Sequence, residues 1–198
     1  MKKVIRISVV VVILAAMIVG YYYYLSNRNA TQDKDTKKDV ATEYTALISR
    51  DLDKNYPKTP RATVKLYNRI VTEYYASSHN DEEIEGLASQ AYKLLDSDLQ
   101  DKNPKEQFMK SVKADVQDWK NRKASIRESK VCSSNDVTYS VVEGSDCAYV
   151  YSYYFVKENG NFSRTYQEFC LRKDKSGNWK ILTWRVIDEA DGGSYQYS

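Results

Sequence analysis

Residues 147–187 read CAYVYSYYFVKENGNFSRTYQEFCLRKDKSGNWKILTWRVI, three runs of aromatic and β-branched residues broken by two tight turns. Asn159-Gly160 is the strongest short hairpin signal, because a type I′ turn needs positive φ at both central positions, and Ser176-Gly177 is the second turn. Strands are predicted near 147–157, 162–173 and 179–187. With those dipeptides as turn centres, Tyr151 stands opposite Glu168 and Glu168 opposite Arg185. One face then carries Ala148, Val150, Phe169, Leu171, Leu182, Trp184 and Val186 and is predicted to be core. The other carries Tyr149, Tyr151, Tyr153, Phe155, Tyr166, Glu168, Arg172, Ile181 and Arg185.

That second face supplies the candidate binding site: Tyr149, Tyr151, Tyr153, Tyr166, Glu168 and Arg185. Tyrosine and arginine are favoured at interface hot spots, so the pattern fits a binding or dimerisation patch around a fixed charge pair. The alternative is that tyrosine merely suits a half-exposed strand, or that the sheet curls and the first helix covers this face.

Working back along the chain, strands near 126–132 and 137–143 precede the turn Glu143-Gly144-Ser145-Asp146. Before Ser125 the period is helical. Val40, Tyr44, Leu47, Ile48 and Leu52 share one face, and Tyr56-Pro57 ends that helix. Thr59 is an N-cap with Pro60 at the first helical position, followed by the stripe Val64, Tyr67, Ile70, Val71 and Tyr74. Asn80 with Glu83 forms a capping box ahead of Ile84, Leu87, Ala88, Ala91 and Leu95. Asn103-Pro104 opens a fourth helix carrying Phe108, Val112, Val116 and Trp119. Four helices before a curved antiparallel meander predict an α+β domain.

Ile5 to Leu25 reads IRISVVVVILAAMIVGYYYYL, and an apolar helix of about 20 residues covers a hydrocarbon core of about 30 Å. A transmembrane helix is therefore predicted at 7–25, with Ile7 to Leu25 as the membrane contact. Lys2, Lys3 and Arg6 hold residues 1–6 on the cytoplasmic side, which puts the rest outside the cell membrane. Tyr21, Tyr22, Tyr23 and Tyr24 form an interfacial collar. A cleaved signal peptide is the competing reading, but cuts after Ala16 or Gly20 put Leu14 or Ile18 at a position that wants a small residue. Residues 26–39 are a flexible linker, 40–188 the extracytoplasmic α+β domain and 189–198 a flexible C-terminal tail.

Composition narrows the function. The net charge is +3 over 198 residues, which the three basic residues before the span account for, so no nucleic-acid or polyanion partner is expected. Mean hydropathy is −0.65 despite the apolar run. The only histidine, His79, is expected in an exposed loop, and no metal site, cofactor motif or catalytic constellation is legible. Cys132, Cys147 and Cys170 are read as small buried hydrophobes, with a disulfide left open because the register makes Cys147 and Cys170 only diagonal neighbours.

Two resemblances follow. Helices ahead of a curved meander that closes on Gly177-Asn-Trp-Lys-Ile-Leu-Thr-Trp-Arg-Val186 resemble the nuclear-transport-factor-two-like, cystatin-related fold. Tyr21-Tyr-Tyr-Tyr-Leu-Ser-Asn27, Asn55-Tyr-Pro-Lys-Thr-Pro60, Lys65-Leu-Tyr-Asn-Arg-Ile70, Leu171-Arg-Lys-Asp174 and Trp179-Lys-Ile-Leu182 resemble an uncharacterised family of small, single-pass, membrane-anchored bacterial proteins with a domain of unknown function. That family implies no assigned active site. The fold implies either a binding or assembly module, with a homodimer or envelope protein as partner, or an isomerase-like enzyme with a pocket between helices and sheet, or a subunit of a secretion complex.

Overall fold

The computed structural model describes residues 43–76 and 78–198. The chain separates into two compact units, Met1–Thr45 and Ala46–Ser198, and the fold belongs to the second. Its helices are α1 (Pro60–Tyr74), α2 (Asp81–Tyr92), α3 (Ser97–Lys102), α4 (Lys105–Asn121) and α5 (Glu189–Gly192), and its strands are β1 (Ser125–Val131), β2 (Thr138–Val142), β3 (Ser145–Glu158), β4 (Asn161–Lys173) and β5 (Trp179–Ile187).

The helix starts follow from local hydrogen bonding. The Thr59 hydroxyl accepts from the Ala62 amide at 3.1 Å, and Pro60 sits at the head of α1, where its missing N–H costs nothing. Asn80 accepts from the amides of Glu82 and Glu83 at 3.0 Å while the Glu83 carboxylate takes the Asn80 amide at 2.9 Å, a complete capping box for α2. The predicted stripes are buried: Val64, Tyr67, Ile70, Val71 and Tyr74 on α1, and Ile84, Leu87, Ala88 and Ala91 on α2. α3 was not foreseen. Its cap is the buried Asp96, which also binds the Arg172 guanidinium from β4.

The β3–β4 pairing follows the predicted register throughout, from Cys147 opposite Arg172 to Glu158 opposite Asn161. Asn159 and Gly160 have φ of 48° and 88°, as the turn requires. Glu168 lies opposite Arg185 in β4–β5, but a bulge at Cys170/Leu171 then sets Leu171 against Ile181. One extra residue reverses the faces beyond it. Ile181 is therefore in the core, where Leu182 was expected; on the other side of the bulge the predicted register holds, and Trp184 and Val186, opposite Phe169 and Gln167 on the inner face, are exposed at 38% and 66%.

The architecture expected from the sequence needs correction. A transmembrane helix followed by about four helices on a meander of the nuclear-transport-factor-two-like kind is not what the described residues form. They form an α+β domain with a five-stranded antiparallel sheet, and no helix among them is long and apolar enough to cross a membrane. The predicted span at 7–25 lies outside the described residues. Nor is the sheet a simple meander: β1 and β2 both pair with β3, on different stretches of it. The reason is length, since the 14 residues of β3 run roughly 45 Å, enough for two short strands end to end.

Candidate functional site

The tyrosine face turns away from the helices. Tyr67 of α1 meets Phe169 edge-on at 5.8 Å, and the Tyr154 hydroxyl donates to Asn68 of α1 at 2.6 Å. Both contacts are on the inner face, which leaves the side chains of alternate residues on the outer one. There the Tyr151 hydroxyl donates to Glu168 at 2.9 Å, and the other carboxylate oxygen accepts from Nε of Arg185 at 2.6 Å. Burial first, and then the neighbouring Tyr195 and Glu168, push the Tyr151 phenol well above its ordinary pKa. Tyr153 donates to Glu128 of β1 at 3.1 Å. Tyr149 is half-buried between Thr138 and Cys170.

Sequence reasoning missed what covers this face. Residues 189–198, expected as a flexible tail, fold back across it. Tyr195 stacks on Tyr151 with centroids 3.9 Å apart and planes 13° from parallel, and Tyr197 meets Tyr153 edge-on at 5.0 Å. A Cβ on Gly192 would come within 2.5 Å of the Tyr166 side chain, so only glycine lets α5 lie this close. The tail is hydrogen-bonded to the end of β1: the Ser133 amide donates to Gln196 at 2.6 Å and the Ser198 amide to Val131 at 3.1 Å. Arg61 of α1 ties the same corner, donating to the Cys132 carbonyl at 2.6 Å and to the Ser198 hydroxyl at 2.6 Å.

Tyr153 and Tyr166 are consequently buried, whereas Arg185 remains 72% exposed. Beyond the tail, Arg164 lies over the rings of Tyr153 and Phe155 at 5.3 and 5.8 Å, and Phe155 stacks on the exposed Phe162 at 5.3 Å. Phe162, Arg164 and the tail tyrosines thus belong to the face. A pattern of alternating Phe and Arg beside the tyrosines was the available signal.

Two other expectations are resolved by packing. His79 is buried, not exposed; its Nε2 is 2.8 Å from Glu73 and its Nδ1 3.5 Å from Glu83. Lys120 closes over it, donating to the His79 carbonyl at 3.2 Å. Cys132, Cys147 and Cys170 are free thiols, the first two buried. Burial raises the thiols of Cys132 and Cys170 above their ordinary range, which keeps them protonated. The space under α1 is filled by Tyr67, Phe169 and Trp184, with Trp184 6.2 Å from Phe169. Trp119 stacks on Tyr75 at 4.4 Å.

Chemically, the outer face offers oriented donors, acceptors and flat rings whose polar atoms are already satisfied. It can recognise a surface. Among the described residues no group of three or more His, Cys, Asp or Glu side chains could hold a metal ion. Over residues 1–184 the sequence matches the model of a family described as a domain of unknown function, DUF6715, and the chain belongs to that family. No curated protein matches it.

Proposed function

We propose that this DUF6715 domain is a binding or assembly module whose partner is a second copy of itself or another envelope protein, engaged through the outer face of its sheet. The observation that supports this reading is the composition of that face. Of the exposed large hydrophobics among the described residues, Phe162 and Val142 lie on that outer face, at 57% and 45% exposure, while Tyr139, Val141, Trp184 and Val186 stand in register with inner-face residues. Phe162 stacked on Phe155, Arg164 over the rings of Tyr153 and Phe155, and the exposed Arg185 give this face the aromatic-and-arginine composition of interface centres. The basic start and apolar run of residues 2–25 support attachment to the cell membrane through 7–25, with the domain on its outer side.

Equilibrium sedimentation of residues 36–198 tests the partner surface. A dimer that becomes a folded monomer on combining Phe162→Ser, Arg164→Glu and Arg185→Glu is the expected result. A species of unchanged mass in the triple variant would remove self-association through this face.

A further inference from the structure

A second surface lies on the helix side of the molecule, away from the tyrosine face. Residues 50–58 turn back against α1 and leave a cleft of about 560 Å³. Five cations line it: Arg50, Lys54 and Lys58 from the loop, Lys65 and Arg69 from α1, and no carboxylate does. Lys54 is neutralised locally by Asp51 at 2.9 Å. Arg50, Lys58 and Lys65 pair with no carboxylate among the described residues. Arg50 donates one nitrogen to the Asn55 carbonyl at 3.1 Å, while its Nε is buried without a hydrogen-bond partner. A desolvated guanidinium N–H that nothing accepts is costly, and the Arg50 charge stands uncompensated beside the lysines.

Near-neutral overall charge concealed this cluster. Its members are spread over twenty positions, and the loop and the i, i+4 spacing of Lys65 and Arg69 bring them to one wall. The cleft also unites two motifs that the sheet does not use, Asn55-Tyr-Pro-Lys-Thr-Pro60 and Lys65-Leu-Tyr-Asn-Arg-Ile70. Tyr56 fixes the loop by donating to the Trp179 carbonyl at 3.1 Å, and its ring lies 4.2 Å from the Lys180 ammonium.

We infer that this cleft binds a phosphate group, carried either by a soluble phosphate ester or by the headgroup of an anionic phospholipid. A single carboxylate would leave most of the uncompensated charge unmet. A phosphate, with several oxygens and up to two charges, can face the Lys58 and Lys65 ammoniums together with the Arg50 guanidinium. The site is independent of the sheet face, so either can fail alone.

The test uses the full chain in a nonionic detergent, titrated calorimetrically with glycerol phosphate and, separately, with water-soluble short-chain phosphatidylglycerol; short-chain phosphatidylcholine is the control. Saturable binding is expected, weakened about ten-fold or more by Lys58→Glu with Lys65→Glu, both at exposed positions. The equally charged change Lys102→Glu with Lys105→Glu, also exposed, should leave it intact. Binding of glycerol phosphate supports the site with a soluble source; binding of phosphatidylglycerol alone supports it with a lipid source. No saturable binding of either, equal binding of phosphatidylcholine, or equal loss in both double variants would overturn it.

Discussion

The two faces of this sheet are made by alternate residues of the same strands, yet water is excluded from them by different means. On the inner face Ala148, Val150, Phe169, Leu171 and Ile181 have no exposure at all, and α1 closes them by filling volume. On the outer face phenols reach carboxylates, rings stack on rings, and a ten-residue tail serves as the cover. Close packing leaves the inner face no tolerance for a void. The outer face is held by interactions that act one at a time and can be removed one at a time.

That difference predicts a graded set of responses. The largest belongs to alkaline pH. Burial raises the phenols of Tyr67, Tyr74 and Tyr154, and burial together with Asp115 pushes Tyr75 up to about 12. Unfolded tyrosines ionise near 10. Above that pH the folded state binds more protons than the unfolded one, so stability is constant below it and falls as pH rises toward 12. Urea midpoints followed between pH 8 and 12 should drop steeply from about pH 10; a level profile would mean these phenols are not sealed.

Next is Phe169→Ala, which opens a cavity between Tyr67 and Trp184 and should cost about 3–5 kcal/mol in urea unfolding. Asp96→Ala removes both the cap of α3 and the partner of Arg172, for about 2 kcal/mol. On the outer face Tyr195→Ala should cost only about 1 kcal/mol through lost stacking, with a gain in self-association by sedimentation because Tyr151 is uncovered. Arg185→Ala should be smallest, no more than the scatter between repeated thermal melts, since the side chain is 72% exposed. If the Tyr195 and Phe169 variants lost equal stability, the contrast between the faces would collapse.

Turn chemistry made the β3–β4 register legible, because Asn159 and Gly160 admit few geometries and every later pair counts from them. The caps at Thr59 and Asn80 were legible for the same reason: each is a local hydrogen bond written in two or three residues. The bulge after Cys170 was not, since neither Cys170 nor Leu171 carries the glycine that would announce it, and so Ile181 and Leu182 exchanged places. Of the candidate site, the Tyr151, Glu168 and Arg185 cluster could be counted from the register. The tail could not, because Gly192 meets Tyr166, and Tyr195 and Tyr197 meet Tyr151 and Tyr153, across separations in sequence that no local pattern spans. His79 looked exposed because its carboxylate partners, Glu73 and Glu83, flank it at spacings that only the packing of α1 against α2 makes useful.

At one end the sheet bends so far that Tyr139 of β2 touches Trp179 of β5, ring to ring at 5.8 Å, although β3 and β4 lie between those strands. At that same end the Leu94–Asp96 segment hydrogen-bonds both sides of Ile181 and caps the lower edge of β5. Fibril growth by strand addition needs a straight, unpaired edge. A curled sheet with that end of β5 occupied leaves, among the described residues, stretches for amyloid-like templating at the opposite end of β5, along Leu182 to Ile187, and on the short exposed β2, which pairs on one side only.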